Sequence, residues 1–206
     1  MGTRIGVLVD LLLFYNRIHQ HRNEKNMEKN ERQNLNRQLA QMLQQLGVET
    51  FEIRQLKDWQ QPKDGLILPG GESTVQMHLL SQLGLLDPIR QAILDGLPVF
   101  GTCAGMILLS EGYLGTMDIR VRRNAYGRQL GSFHSVSLVN GIGDNIPMTF
   151  IRAPYIKDVL SPKCQILAEL GGHVVAARQG NQIATSFHPE LDGDLRVHSY
   201  FLDMAK

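Results

Sequence analysis

With 206 residues, 43% of them hydrophobic, the chain suits one globular core, and we expect a single domain over residues 1–206. Its formal net charge of +1 argues against nucleic acid or an anionic membrane surface as a partner. Its apolar stretches are shorter than the roughly 18 residues of a membrane span, and its two cysteines cannot form a disulfide framework, so we expect a cytoplasmic protein.

In the first half of the chain, short apolar runs alternate with patterns of helical period. We predict strands over residues 5–9, 48–53, 65–68 and 98–101, and helices over residues 28–46, 74–83, 87–95 and 106–111. Such an alternation is typical of a mostly parallel sheet that helices cover on both faces.

The second half of the chain is rich in strand patterns. We expect antiparallel strands within residues 119–139, 149–151, 166–168, 174–178 and 182–187, and a closing helix over residues 198–204. The sequence therefore predicts an α/β fold with a strand-rich second half.

The segment that leads into the first predicted helix is unusually polar. Between residues 17 and 37, six Lys or Arg stand against three Glu, so this stretch carries a net charge of +3. Two interpretations stay open: the charges form the solvated face of an amphipathic helix, or they form a docking surface for a partner protein.

Residues 101–105 read Gly-Thr-Cys-Ala-Gly, the cysteine form of the nucleophile elbow, in which a sharp turn joins a strand to a helix. Flanking glycines let the backbone approach itself closely. The helix that follows directs its free N–H groups at the sulfur of Cys103, which favours the thiolate, and the N–H of Ala104 is placed to bind an oxyanion. The alternative is a buried structural cysteine, which is the role we expect for Cys164.

A thiolate mechanism needs a base and a group that orients the base. His188 follows an apolar predicted strand, and Pro189 and Glu190 come next. In an extended chain, residues two apart point the same way, so the Glu190 carboxylate can bind the His188 imidazole and leave its other nitrogen for Cys103. Taken alone, the pattern also fits a strand-end histidine beside a solvated glutamate.

A Pro-Gly-Gly-Glu-Ser turn at residues 69–73 ends another apolar strand. Paired glycines let a backbone N–H point into a site that a side chain would obstruct, so Gly71 is the candidate for the second oxyanion donor beside Ala104. Glu72 is placed to pair with a substrate ammonium. The alternative is a β-turn before a helix, with Glu72 interacting with the helix dipole.

The remaining histidines do not form a metal-binding pattern. His19 and His21 are two residues apart and would not share a helix face, and no carboxylate or cysteine completes a ligand set around them. The other four are isolated in sequence: His78, His134, His173 and His198. We expect neither a metal site nor a cofactor.

The order of these motifs, a Gly-Gly turn, a cysteine elbow and then His-Pro-Glu, resembles that of the class I (triad) glutamine amidotransferases. Several segments are also similar to the glutaminase subunits of pyridoxal 5′-phosphate synthase, which makes the vitamin B6 cofactor. They read Leu-Ile-Leu-Pro-Gly-Gly-Glu-Ser-Thr at 66–74, Phe-Gly-Thr-Cys-Ala-Gly at 100–105, Val-Arg-Arg-Asn-Ala-Tyr-Gly-Arg-Gln at 121–129, Phe-Ile-Arg-Ala-Pro at 150–154 and Ser-Phe-His-Pro-Glu-Leu at 186–191.

The resemblance implies a class I amidotransferase fold, with a flavodoxin-like sheet and three layers, and glutaminase activity without a cofactor. It implies Cys103 as the nucleophile and His188 with Glu190 as its relay. The implied glutamine contacts are Gly71, Glu72, Ser73, Arg123, Ile151 and Arg152. Arginine suits the α-carboxylate of glutamine, and Glu72 suits the α-ammonium. The implied partner is a separate (β/α)8-barrel synthase subunit that receives the ammonia.

The N-terminal region departs from the family pattern. A Leu-Gln-Gly-Ala stretch usually follows the first strand, whereas this chain has Asp-Leu-Leu-Leu at residues 10–13 and then a longer polar segment, so residues 10–46 are atypical. The apolar run at residues 11–14 is either buried core or an altered interface. Because the family stretch lies near the active site and the synthase contact, a catalytically silent regulatory subunit stays open as an alternative. A glutaminase of another pathway and a thiol hydrolase of larger substrates are further rivals.

Overall fold

The computed structural model describes residues 2–8, 26–123 and 132–206, and in the helix that begins at Asn26 it describes side chains from residue 35 onward. The N-terminal departure at residues 10–14 and most of the polar segment before residue 35 therefore lie outside the described side chains. The same holds for most of the motif at residues 121–129, of which residues 121–123 are described.

The described residues form eleven strands, six α-helices and one 3₁₀ turn. The strands are β1 (Arg4–Leu8), β2 (Glu49–Ile53), β3 (Gly65–Leu68), β4 (Val99–Thr102), β5 (Ile119–Arg122), β6 (Ser132–Val139), β7 (Gly143–Ile151), β8 (Tyr155–Val159), β9 (Cys164–Leu170), β10 (His173–Gln179) and β11 (Gln182–Thr185). The helices are α1 (Asn26–Gln45), α2 (Leu56–Trp59), α3 (Ser73–Gln82), α4 (Leu86–Leu94), α5 (Ala104–Leu109) and α6 (Arg196–Met204), and the 3₁₀ turn spans Pro189–Leu191. None of the described helices is both long and apolar enough to cross a membrane.

A nine-stranded sheet runs through the molecule in the order β2-β1-β3-β4-β11-β10-β8-β5, with β9 paired to β10. Within the run β2-β1-β3-β4-β11, each pair of neighbouring strands is parallel. The other pairs in this sheet, including β11 with β10, are antiparallel. Strands β6 and β7 form a separate antiparallel pair. The order β2-β1-β3-β4-β11 is that of flavodoxin-like sheets, in which ligands bind at the carboxyl ends of the strands. The α/β fold predicted from the sequence is confirmed.

Four of the parallel strands, β1, β3, β4 and β11, are almost fully buried, so their alternate side chains enter two separate apolar clusters. On β3, Leu66 and Leu68 join one cluster and Ile67 joins the other. Helices α3, α4 and α5 pack on the first face, and α1 and α6 pack on the second. The result is three layers, in which the strands that carry the motifs are held from both sides.

The sequence does not predict β8 or the first part of β7. Strand β7 contains Asn145, with a φ of 53°, and Pro147, and both residue types usually mark turns. Strand β8 follows Pro154, and the charged pair Lys157 and Asp158 interrupts the apolar pattern of its five residues. It forms because β10 and β5 pair with it on its two edges.

The strand predicted within residues 182–187 was expected to be antiparallel, and this is only half correct. Strand β11 is antiparallel to β10, but it is parallel to β4 on its other edge. The parallel pairing has a consequence for the site, because it brings the end of β11 next to the cysteine that follows β4.

Candidate active site

Three segments with predicted motifs meet at the carboxyl edge of the parallel sheet. Cys103 directly follows β4, the turn at residues 69–73 follows β3, and His188 comes shortly after β11. Because β3 and β11 are the two neighbours of β4, the three segments lie side by side. The register pairs Thr102 with Thr185, so β4 and β11 end at the same level.

Cys103 occupies a sharp turn that the neighbouring glycines make possible. Its φ of 51° and ψ of −102° are unusual for a residue with a side chain, and such strain is concentrated at functional sites. A Cβ atom on Gly101 would lie 2.6 Å from the Gly105 carbonyl oxygen, and one on Gly105 would lie 1.9 Å from the Leu68 carbonyl oxygen. Helix α5 therefore packs directly against the strands, and it begins at the residue after the thiol.

The Cys103 thiol is nearly enclosed, since the residue is 8% exposed. Its Sγ atom lies 3.9 Å from the carbonyl oxygen of Ile151, and the thiol is close enough to the His188 side chain to raise the pKa of that imidazole. Its backbone N–H donates to the Thr185 carbonyl oxygen at 2.8 Å, which ties the elbow to the end of β11. The thiol thus faces the imidazole that can exchange a proton with it.

His188 and Glu190 form a buried pair. The Nδ1 atom of His188 lies 2.8 Å from the Oε1 atom of Glu190, and the two residues are 2% and 5% exposed. Because the carboxylate holds Nδ1, Nε2 is the ring nitrogen left for Cys103. The sequence predicted this contact from an extended chain, whereas the structure makes it through the 3₁₀ turn that begins at Pro189.

Burial and charge act in opposite directions on this pair. Burial lowers the pKa of His188, but the charge of Glu190 and hydrogen bonds with Cys103 and Glu190 outweigh it, so the pKa of His188 lies well above its ordinary value. Burial raises the pKa of Glu190, but the charge and hydrogen bond of His188 hold that pKa below its ordinary value. The imidazole is therefore protonated and the carboxylate ionised near neutral pH, so His188 carries a positive charge close to Cys103.

The two predicted oxyanion donors, Ala104 and Gly71, belong to the elbow after β4 and to the turn after β3, two segments that follow neighbouring strands. Ala104 is the first residue of α5, so its N–H has no acceptor within the helix. Gly71 has a φ of 144°, a value that favours glycine. The Gly70 carbonyl oxygen lies 3.4 Å from the Nε2 atom of Gln76, a buried side chain of α3. The Gly70 C=O and the Gly71 N–H belong to one peptide and point in opposite directions. Because the C=O faces Gln76, the Gly71 N–H points away from that side chain.

Glu72 and Arg123, two of the residues implied to bind glutamine, bind each other. The Arg123 guanidinium donates to the Oε1 atom of Glu72 at 2.7 Å and to the Thr74 hydroxyl at 2.9 Å. The two side chains are 40% and 45% exposed, so solvent reaches the pair. Glu72 also accepts from the Thr74 N–H at the start of α3, which is the helix-end role considered as an alternative for it.

The other residues implied to contact the substrate, Ser73, Ile151 and Arg152, differ in how exposed their side chains are. Ser73 is 2% exposed, and its Oγ atom has no hydrogen-bond partner among the described residues. Ile151 ends β7, and its carbonyl oxygen faces the Cys103 thiol. Arg152 follows it with an exposed side chain and a φ of 44°. The structure therefore brings Ile151 to the thiol, and Arg152 adjoins it along the chain.

Two residues that hold the His188 backbone, and one buried histidine, carry no signal in the motifs. Asp192 accepts from the N–H and the hydroxyl of Thr149, at 3.0 and 2.6 Å, and the Thr149 carbonyl accepts from the His188 N–H at 2.8 Å. His198 is fully buried in α6. Its burial could have been found from sequence, because it lies on the apolar face that the helical spacing of α6 defines.

Two further histidines, described as isolated in the sequence, have local contacts. The Nε2 atom of His134 lies 3.4 Å from the Oδ1 atom of Asp192, and the His173 ring stacks on Tyr155 at 4.1 Å. Within residues 2–8, 26–123 and 132–206, no group of three or more His, Cys, Asp or Glu could hold a metal ion.

A flavodoxin-like sheet with a cysteine elbow beside a His–Glu pair at its carboxyl edge defines the class I glutamine amidotransferases. A solved crystal structure of a glutamine amidotransferase agrees with this class: it has a TM-score of 0.78 and 36% sequence identity to this chain, and the match covers 98% of each. The chain belongs to the SNO glutamine amidotransferase family, which it matches over residues 33–206.

Two curated relatives are more similar in sequence to this chain than the solved structure is. The pyridoxal 5′-phosphate synthase subunit PdxT of Haemophilus influenzae is 54% identical over 177 residues, which cover 81% of this chain and 91% of the relative. The subunit of the same name from Methanocorpusculum labreanum is 59% identical over 169 residues, covering 79% and 88%.

Proposed function

We propose that this chain hydrolyses L-glutamine to L-glutamate and ammonia, and that the ammonia passes to a synthase that makes pyridoxal 5′-phosphate. The observation that carries the proposal is the buried series Cys103, His188 and Glu190: the His188 imidazole lies 2.8 Å from the Glu190 carboxylate, and Cys103 is among the groups that raise its pKa. The similarity to the PdxT relatives, at 54% and 59% identity, supports the same reaction.

In the first half of the proposed reaction, the Cys103 thiolate attacks the side-chain amide carbon of glutamine and forms a C–S bond. The negative charge moves to the amide oxygen, where the N–H groups of Ala104 and Gly71 bind it. The protonated His188 then gives its Nε2 proton to the amide nitrogen. The C–N bond breaks, ammonia leaves, and a thioester and a neutral imidazole remain.

In the second half, the same imidazole acts as a base. His188 takes a proton from a water molecule that attacks the thioester carbon, and the new oxyanion is held by the same two N–H groups. The C–S bond breaks, the thiolate of Cys103 returns, and glutamate is released. Glu190 remains ionised throughout and stabilises the imidazolium form of His188.

The substrate contacts follow from the charges of free glutamine. Its α-ammonium suits Glu72, and its α-carboxylate suits Arg123 or Arg152. Because Glu72 and Arg123 pair at 2.7 Å in this structure, a zwitterionic amino acid can exchange with that pair without leaving either charge unmatched. Such a charged pair would have no use for a peptide chain, which lacks both α-groups, and this argues against a thiol protease.

The proposed partner is a barrel-type synthase subunit, and the proposed compartment is the cytoplasm. Free ammonia is easily lost to water, so a glutaminase of this kind works efficiently only with an acceptor enzyme docked to it. The two cysteines of the chain are both free thiols, which fits a reducing compartment.

The direct test is glutamate release from L-glutamine by the purified chain, measured alone and with an equimolar pyridoxal 5′-phosphate synthase barrel subunit. We expect turnover that appears or rises when the barrel is added. Glutaric acid monoamide, which has the same amide but no α-ammonium, is the control substrate and is expected to react much more slowly. If the two proteins bind but no glutamate forms, the chain is a silent regulatory subunit and the proposal fails.

The Gly70→Ala variant is expected to lose glutaminase activity by roughly 10²-fold, because small misplacements of a catalytic group have effects of that order. A Cβ atom at this position would lie 2.4 Å from the Cε1 atom of His188, so the imidazole has to leave its present position beside Glu190 and Cys103. Initial rates of glutamate release in the presence of the barrel measure the effect.

The matched control for this variant is Gly2→Ala, where a Cβ atom has no neighbour within 4 Å. Both variants should unfold at temperatures near that of the wild type, because the Gly70 contact is with a single side chain. Full activity of Gly70→Ala would mean that the imidazole position seen here is not the reactive one.

A further inference from the structure

A second buried histidine, His198, takes no part in the proposed reaction. His198 belongs to α6, is completely buried, and packs edge-on against the Phe100 ring at 5.6 Å. Neither of its ring nitrogens has a hydrogen-bond partner among the described residues. A buried imidazole without partners is costly, since an apolar side chain could fill the same space without losing hydrogen bonds to water.

The Glu190 carboxylate has an atom that is unpartnered in the same way. Its Oε1 atom binds His188, but its Oε2 atom is buried without a hydrogen-bond partner among the described residues. The two groups interact through their charges. Burial lowers the pKa of His198, and the charge of Glu190 partly opposes this; in return, the charge of His198 contributes to the lowered pKa of Glu190. The two groups therefore interact electrostatically without a direct hydrogen bond, and a water molecule between them would give each a partner.

The protonation states of the two groups are complementary. Burial lowers the pKa of His198 to about 4, with the charge of Glu190 opposing this, so the imidazole is neutral near pH 7. A neutral imidazole has one N–H donor, and an ionised carboxylate is only an acceptor. The donor of one group thus matches the unfilled acceptor of the other.

We propose that His198 is a positioning residue for the glutaminase reaction: its N–H binds the Oε2 atom of Glu190 through one enclosed water and so holds the Glu190–His188 pair in line with Cys103. The inference rests on the proposed function. Without this contact the carboxylate is free to rotate away from His188. Glu190 then stabilises the imidazolium less, and the thiolate of Cys103 forms only at higher pH.

The test compares His198→Leu, which removes both nitrogens and keeps an apolar side chain, with the wild type. The rate of Cys103 alkylation by iodoacetamide is followed against pH by peptide mapping, and needs no glutamine. Cys164 serves as an internal control, because burial and the charge of Asp118 raise the pKa of its thiol to about 11. We expect the midpoint of the Cys103 profile to move up by about one pH unit, and kcat with the barrel to fall roughly tenfold with little change in KM.

Two further sets of variants separate positioning from simple packing. His198→Asn and His198→Gln each place an amide N–H near one of the two ring nitrogens, and one of them is expected to restore most of kcat. In a Glu190→Gln background, replacing His198 is expected to have little further effect on kcat, because the two residues act through one interaction. If His198→Leu does not fold, the two amide variants are compared in both backgrounds instead.

An unchanged alkylation midpoint in a folded His198→Leu variant overturns the inference. Equal losses of kcat in the wild-type and Glu190→Gln backgrounds do the same, since they indicate a purely structural role. A Cys103 that does not react in the wild type at any pH between 5 and about 9 refutes the proposed function itself, and the inference with it. The alkylation and turnover results therefore distinguish a failure of the His198 inference from a failure of the proposed glutaminase function.

Discussion

The Cys103→Ala variant is expected to release glutamate from L-glutamine at least roughly 10⁴-fold more slowly than the wild type, because removing the nucleophile of a triad has an effect of that size. The sulfur is the atom that forms the thioester, and the only other cysteine in the chain is Cys164. Alanine keeps a Cβ atom, so the strained backbone at φ 51° is retained and the fold should be preserved. Steady-state rates with the barrel subunit and thermal unfolding provide the measurement.

The matched control is Cys164→Ala, which removes a thiol of similar burial from the start of β9. Its pKa of about 11 keeps this thiol protonated at neutral pH, and it takes no part in the proposed reaction. We expect its activity to stay within about twofold of the wild type, since the site is distant and independent. If Cys103→Ala retained substantial turnover, or if Cys164→Ala lost it, the assignment of Cys103 as nucleophile would be wrong.

The positions of the three proposed catalytic groups could be predicted because each belongs to a short local pattern. A glycine-flanked cysteine between a strand and a helix, and a histidine two residues before a glutamate, are visible without knowing which strands pair. The parallel pairing of β4 with both β3 and β11 then brings the patterns together. The local motifs and the strand order therefore both place the candidate active site at the carboxyl edge of the parallel sheet.

Contacts between distant segments could not be predicted in the same way. The 2.7 Å pairing of Glu72 with Arg123 depends on where the end of β5 lies relative to α3. The near contact of Gly70 with the His188 ring depends on the register of strands on either side of β4. A single sequence gives the residue types in these pairs but not their distances, because strand register and helix position arise from the packing of the whole sheet.

The burial of His198 and the pairing of β8 illustrate a second limit. A histidine in sequence has no fixed environment, and only the apolar face of α6 indicates that this one is enclosed. Strand β8 is short and two charged residues interrupt its pattern, but two neighbouring strands pair with it. The burial of His198 is thus indicated by its helix face, but its contacts are not, and the pairing of β8 depends on tertiary contacts throughout.

The Gly105→Ala variant is expected to lower the free energy of unfolding by at least about 3 kcal/mol, because a clash between backbone segments in a packed core belongs with the large mutational effects. A Cβ atom here would lie 1.9 Å from the Leu68 carbonyl oxygen and 2.8 Å from its carbon. These are backbone atoms of β3, which is fixed by its pairing with β1 and β4, so α5 has to move instead. Because α5 begins directly after Cys103, we also expect glutaminase activity to be lost.

The sign of this effect separates two physical causes. Gly105 is a helical residue, and helix propensity alone would make alanine more stable than glycine there, by about 1 kcal/mol. The clash predicts a large loss in the opposite direction, which urea unfolding can measure. Gly84→Asn is the control, because position 84 has open space around a Cβ atom and a φ of 66° that asparagine tolerates, so a change below about 1 kcal/mol is expected. Wild-type stability in Gly105→Ala would show that α5 can move away from β3 at little cost, and the elbow would then be less rigid than its close packing indicates.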